Sequence, residues 1–162
     1  MTTFANVQPV LATDGITYSN AVTVPSSEAD LFNQTSLGIT LDPIPVLYGQ
    51  AIVATVNLIA VGTVSTNSSY VILQMALDAL AWFDMAWITW TGLTAANESF
   101  LLSAGSTGAA AFQQSRASGT TPQGTEFNQA PLAGKLRFVG QSTVTGGGSV
   151  TATIAYKMMG LR

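Results

Sequence analysis

The stretch Tyr70–Gly92, "YVILQMALDALAWFDMAWITWTG", constrains the fold of this chain more than any other part, because it holds all three tryptophans within nine positions. Its length suits a membrane-spanning helix, but Asp78 and Asp84 would then lie near the bilayer centre, where each costs several kcal/mol. The helix-forming residues around Asp78 would also suit a soluble helix. The spacing of the apolar residues decides between these structures.

The apolar residues of this stretch alternate with a period of two, which is typical of β-strands. We therefore predict two strands joined as a hairpin through the turn "LDAL", in which Asp78 favours a turn but no glycine follows it. The predicted faces of the second strand are Ala81, Phe83, Met85, Trp87 and Thr89 on one side, and Trp82, Asp84, Ala86, Ile88 and Trp90 on the other.

The rest of the chain shows the same short alternating runs, separated by Gly, Pro, Ser and Asn. Near the C-terminus, Leu136 and Phe138 alternate with polar neighbours before "TGGGS", as do Val150, Ala152 and Ile154 after it, and this pattern predicts a second hairpin. The segment Ala109–Gly134 is rich in Gly, Ser, Thr, Gln and Pro and predicts an extended loop. Further strands are predicted at Ile16–Val24, Thr35–Leu41, Gln50–Val64 and Glu98–Ser103.

Together these segments give roughly eight or nine strands and no sustained helical period, which predicts an all-β, single-domain β-sandwich. A jelly roll is our first expectation for its connectivity, and an immunoglobulin-like sandwich is the second. The length of 162 residues fits one domain. We place the sandwich domain at residues 16–162 and an N-terminal arm at residues 1–15.

The composition argues against enzymatic chemistry. The chain has no histidine and no cysteine, so it lacks the commonest general base, the commonest metal ligand and thiolate nucleophiles. A carboxylate-dependent glycosidase would need two acids such as Asp78 and Asp84, which the hairpin instead places in a turn and on an outer face. We therefore expect no enzyme activity, no cofactor and no bound metal.

The charge pattern also narrows the classes of partner. Charged residues make up 8% of the chain, against about 25% in typical soluble domains, and the five basic residues form no run. Nucleic-acid binding is not expected from such a pattern. Membrane insertion is not expected either, because Asp78 and Asp84 would lie inside the span. A surface with so few charges is typical of a protein that packs against copies of itself or a larger assembly.

The string "LQMALDALAW" resembles the "LQ-x-S-x-D-G-x-x-W" hairpin of β-sandwich proteins in tailed-phage virions. Leu73, Gln74, Asp78 and Trp82 match, whereas alanines replace the small polar residue and the turn glycine of that pattern. The resemblance covers about a tenth of the chain. It implies a jelly-roll capsid decoration (cement) protein, located on the capsid surface of the virion, that acts without cofactors, forms a homotrimer and binds the major capsid protein.

Three sets of residues are candidates for binding. The arm residues Phe4, Val7, Val10 and Leu11 and the loop residues Phe112, Arg116 and Phe127 are candidates for capsid or subunit contacts. Trp82 and Trp90, which the alternation places on one face, form a candidate aromatic platform. Exposure of that platform would favour the alternative function, a carbohydrate- or receptor-binding module of a virion fibre or cell surface, whereas the cement hypothesis predicts that these rings are buried.

Overall fold

The computed structural model describes residues 10–11, 17–18, 21–32, 44–77, 81–93, 98–104 and 132–159. These residues form antiparallel β-strands, and no helix occurs among them. The strands are β1 (Val10–Leu11), β2 (Thr17–Tyr18), β3 (Val22–Thr23), β4 (Ala29–Asp30), β5 (Ile44–Val61), β6 (Thr66–Ala76), β7 (Phe83–Trp90), β8 (Glu98–Ala104), β9 (Leu132–Thr145) and β10 (Ser149–Met159).

The strands form the two sheets of a β-sandwich, as the sequence predicted. Sheet A has the order β8–β5–β10, with β2 and β3 along the far edge of β10 and β1 beyond β2. Sheet B has the order β7–β6–β9, with β4 and the first part of β5 along the far edge of β9. The 18-residue strand β5 belongs to both sheets, because Gln50 pairs with β9 and Ala51 pairs with β10.

The core lies between the two sheets and consists of the side chains that alternate inward from each strand. Val56 and Ile154 from sheet A and Leu73 and Phe138 from sheet B are almost completely buried there. The ring of Phe138 packs edge-on against Phe32, with centroids 5.6 Å apart, an arrangement that aromatic quadrupoles favour. Burial of these side chains is the main force that holds the sheets together.

The predicted hairpin of β6 and β7 is confirmed, with Ser69 opposite Trp90 and Met75 opposite Phe83. Its register shifts at one point, because Leu73 pairs with Ala86 whereas the next residue, Gln74, pairs with Asp84. Met85 is therefore the extra residue of a β-bulge, and such a bulge reverses the alternation of side chains along the strand.

The prediction that β9 and β10 form a C-terminal hairpin is wrong. The two strands are consecutive, but β9 pairs with β6 and β10 pairs with β5, so the chain crosses from sheet B to sheet A at Gly146–Gly148. β5 and β6 are related in the same way through residues 62–65. We call these connections arches. In an arch, the apolar residues before and after the glycines face the same core from opposite sheets. The sequence of an arch therefore shows the same alternation as the sequence of a hairpin, which is why the two were not distinguished.

Other strand predictions hold with shifted bounds. The expected strand Ile16–Val24 is divided into β2 and β3, the strand predicted at Gln50–Val64 begins earlier, at Ile44, and β8 lies where Glu98–Ser103 was predicted. β9 begins at Leu132, inside the predicted loop. Residues 109–131 of that loop and the strand predicted at Thr35–Leu41 lie outside the described residues. The described strands establish a sandwich, and they do not establish jelly-roll connectivity.

Candidate interaction surfaces

The two arches pack against each other at one end of the sandwich. The amide of Ser65 donates to the carbonyl of Thr145 (2.8 Å), and the hydroxyls of Thr66 and Thr145 are hydrogen-bonded at 2.8 Å. Gly146 and Gly147 have φ values of 100° and 82°, which L side chains rarely adopt, so glycine is required for this connection. The two connections thus form one compact unit.

The end of β7 joins the same unit, because the side-chain amide of Asn67 donates to the carbonyl of Gly92 (2.8 Å). We call residues 61–66, 89–93 and 143–149 the arch end. None of them is charged, and Val61 and Leu93 there are 48% and 49% exposed. A surface with exposed aliphatic side chains and no charge loses little when it is desolvated, which suits a protein interface.

A small polar cluster lies in the core beneath the arch end. Ser69 hydrogen-bonds both Asn67 and Ser142, and all three side chains are buried. The indole nitrogen of Trp90 is also buried, and it has no hydrogen-bond partner among the residues that the structure describes. The Asn67 and Ser69 positions face inward like Val71 and Leu73, so their mutual hydrogen bonds compensate for the loss of water.

The outer face of sheet B carries a row of connected polar side chains across three strands. Arg137 Nε on β9 donates to Gln74 Oε1 on β6 (2.9 Å), and Gln74 Nε2 donates to Asp84 Oδ1 on β7 (2.7 Å). The Arg137 guanidinium carbon lies 4.0 Å from the ring centroid of Trp82, a cation–π contact. We call these four residues the arginine row.

Burial and nearby charges act in opposite directions on Arg137. Partial burial lowers the pKa of its guanidinium, because the charged form is desolvated, and the carboxylates of Asp30, Glu28 and Asp84 partly offset this by raising it. Gln74 and Asp84 are only 4% and 3% exposed, so the inner part of the row is shielded from water. Beside the row, Tyr70, Ile72, Trp87 and Val139 form a second buried apolar cluster on this outer face.

The two tryptophans of the expected platform are separated. Trp90 is 4% exposed and belongs to the core between the sheets, whereas Trp82 contacts Arg137 in the row on the outer face. The bulge at Met85 explains the difference, because it reverses the alternation between the two positions. Trp82 and Trp90 therefore do not form a shared surface for a sugar ring.

The other predicted contact residues are only partly described. Val10 and Leu11 form β1, which pairs with β2 at the edge of sheet A, so this part of the predicted arm is sheet structure. The other candidate contact residues lie outside the described residues; these are Phe4, Val7, Phe112, Arg116 and Phe127. Asp78, the predicted turn residue, also lies outside them.

The described residues carry neither a metal-ligand cluster nor a membrane-spanning helix. Among the described residues, no three acidic side chains come together in a group able to hold a metal ion. No helix in that same part of the chain is long and apolar enough to cross a bilayer.

No protein-family model, curated protein or solved structure matches this chain. The surfaces described above must therefore be interpreted from their own chemistry.

Sequence reasoning missed the arginine row. Asp84 was expected on the outer face of its strand, which was a usable signal for a polar contact there. Arg137 had no such signal, because its place opposite Gln74 depends on the pairing of β6 with β9, whose residues are 63 positions apart.

Proposed function

We propose that this protein is a decoration (cement) protein of a tailed-phage virion, which binds the exterior of the capsid and stabilises it. In this proposal it contacts the major capsid protein and associates with itself, as a homotrimer. The observation that carries the proposal is the arch end, a hydrogen-bonded, uncharged surface with two half-exposed aliphatic side chains on a β-sandwich. The resemblance of the β6–β7 hairpin to those of phage β-sandwich proteins supports the same function.

Reinforcement of a shell requires no catalysis and no single tight site. A copy that bridges neighbouring capsid subunits adds contacts that must break before the shell expands or ruptures. Many modest contacts, multiplied by the symmetry of the oligomer and the shell, give high avidity. Because the arch end carries no charge, its binding should depend only weakly on ionic strength.

The first test combines solution mass with capsid binding. Light scattering should give the mass of a trimer, and the protein should co-sediment with phage capsids that lack their own decoration protein, in both low and high salt. A monomer that stays in the supernatant of every capsid preparation would overturn the proposed function.

Matched lysine substitutions then locate the binding surface. Val61→Lys and Leu93→Lys place a charge on the arch end, where burial of an unpaired ammonium should cost at least about 1.4 kcal/mol, a tenfold loss of capsid affinity. Leu77→Lys is the control, because Leu77 is 72% exposed at the other end of β6. Equal binding by all three variants, with unchanged stability, would exclude the arch end as the contact surface.

A further inference from the structure

The guanidinium of Arg137 is held in one orientation by the rest of the arginine row. Gln74 lies between Arg137 and Asp84 in the register of three adjacent strands. The Asp84 carboxylate accepts from the amide nitrogen of Gln74, and this leaves the amide oxygen directed to Arg137 Nε. Trp82 supports the guanidinium from one side. A side chain that is fixed in this way loses little entropy when it binds a ligand.

Within the described part of the chain, most of the hydrogen-bonding capacity of Arg137 is not used. A guanidinium has five N–H donors, and only Nε–H has an acceptor among the described residues. The nearby carboxylates raise the pKa of the guanidinium, but none of their described hydrogen bonds is accepted from an Nη group. Each is engaged elsewhere: Asp30 Oδ1 accepts from the amide of Phe32 (2.9 Å), Glu28 Oε2 from the Tyr70 hydroxyl (2.8 Å) and Asp84 Oδ1 from Gln74.

We propose that the two Nη groups of Arg137 form a recognition site for a single carboxylate of a binding partner. The planar fork of a guanidinium matches the two oxygens of a carboxylate and binds them through parallel hydrogen bonds. This site goes beyond the proposed capsid function and does not depend on it.

The local charge favours a monoanion over a phosphate. Glu28, Asp30 and Asp84 contribute three negative charges, and Arg137 with the exposed Lys135, two residues earlier on the same strand, contributes two positive ones. Over these described residues the sum of −3 and +2 is −1, so a dianion is repelled more strongly than a monoanion. The bidentate contact itself is open to either anion.

Nuclear magnetic resonance of the arginine side chains in the full chain tests this site. The Nε–H signal of Arg137 is assigned by its absence from the spectrum of Arg137→Lys. Sodium acetate is then added to the protein in steps, and sodium chloride and sodium phosphate are added to separate samples at the same ionic strength. We expect a saturable shift of the Arg137 signal with acetate, a smaller response to phosphate, and no saturable shift for Arg116 or Arg162. An Arg137 signal that follows chloride and acetate equally would overturn the proposal.

Two further variants and two further ligands complete the test. Gln74→Met removes the acceptor that orients Arg137 and should weaken acetate binding several-fold. Met159→Gln, an uncharged change at an exposed position of sheet A, should leave acetate binding unchanged. N-acetylaspartate amide and glucuronate then distinguish the source of the carboxylate. Tighter binding of the first assigns the site to an acidic protein side chain, and tighter binding of the second assigns it to a sugar acid. No saturable binding of either would also overturn the proposal.

Discussion

Replacing Gly148 by alanine directly tests the packing of the two arches. A Cβ atom at Gly148 would lie 2.6 Å from Val64 Cγ2, 2.7 Å from the carbonyl oxygen of Val61 and 2.8 Å from that of Thr63. Two of these three contacts are with backbone atoms, which cannot move without disturbing the other arch. Overpacking of this kind costs typically 1–3 kcal/mol, and we expect Gly148→Ala near the upper end, at about 3 kcal/mol.

The adjacent Gly147 provides a matched control. An alanine at its φ of +82° would be strained by roughly 1–2 kcal/mol. The reduced entropy of the unfolded chain offsets about 0.4–1 kcal/mol of this strain. No atom lies within 4 Å of an added Cβ, so there is no steric contribution. We therefore expect a net loss of about 1 kcal/mol for Gly147→Ala. In a chain of this size, 1 kcal/mol lowers the melting temperature by about 2–4 °C.

Urea unfolding followed by circular dichroism measures both variants. The arches predict that Gly148→Ala is clearly the less stable protein. If β9 and β10 instead formed an ordinary hairpin, Gly148 would have no close neighbour from residues 61–64, and the strained Gly147→Ala would be the more destabilised variant. That reversed order would refute the stacked arrangement of the arches.

Two further predictions concern polar atoms in the core. Trp90→Phe removes a buried N–H that has no partner in the described part of the chain, so the unfolding free energy of this variant should stay within about 1 kcal/mol of the wild type. Trp90→Ala should lose about 3–5 kcal/mol in the same urea experiment, and equal losses for the two variants would contradict this explanation. Ser142→Ala breaks the buried hydrogen bond to Ser69 (2.8 Å) and should cost about 1–3 kcal/mol, while Thr145→Val at the exposed bond to Thr66 should stay within about 0.5 kcal/mol. A larger loss for Thr145→Val would show that the exposed bond is the more important one.

The sequence predicted the class of the fold because side-chain alternation is a local property. Each strand must place every second residue in the core, so the pattern around Leu73 and Leu136 is visible without any knowledge of the partner strand. The β6–β7 hairpin was predictable for the same reason, since its strands are neighbours in sequence as well as in the sheet.

The bulge at Met85 was beyond such reasoning. One extra residue in β7 exchanges the faces of all positions that follow, and nothing in the local pattern marks where it occurs. Because of it, Trp90 lies in the core while Trp82 contacts Arg137, and the expected aromatic platform is not formed. The low charge content was visible in the sequence, but its effect at the arch end depends on which connections meet there.

The sequence by itself determined that this chain forms strands, that they pack as a sandwich, and that histidine and cysteine chemistry is absent. The tertiary structure decided which strands pair. Three glycines at 146–148 specify that the chain turns, but a hairpin and an arch place the flanking apolar residues against a core equally well. The choice between a hairpin and an arch depends on the pairing of β10 with β5 and of β9 with β6, and these partner strands are distant in sequence. The same pairing determines where the arch end and the arginine row lie.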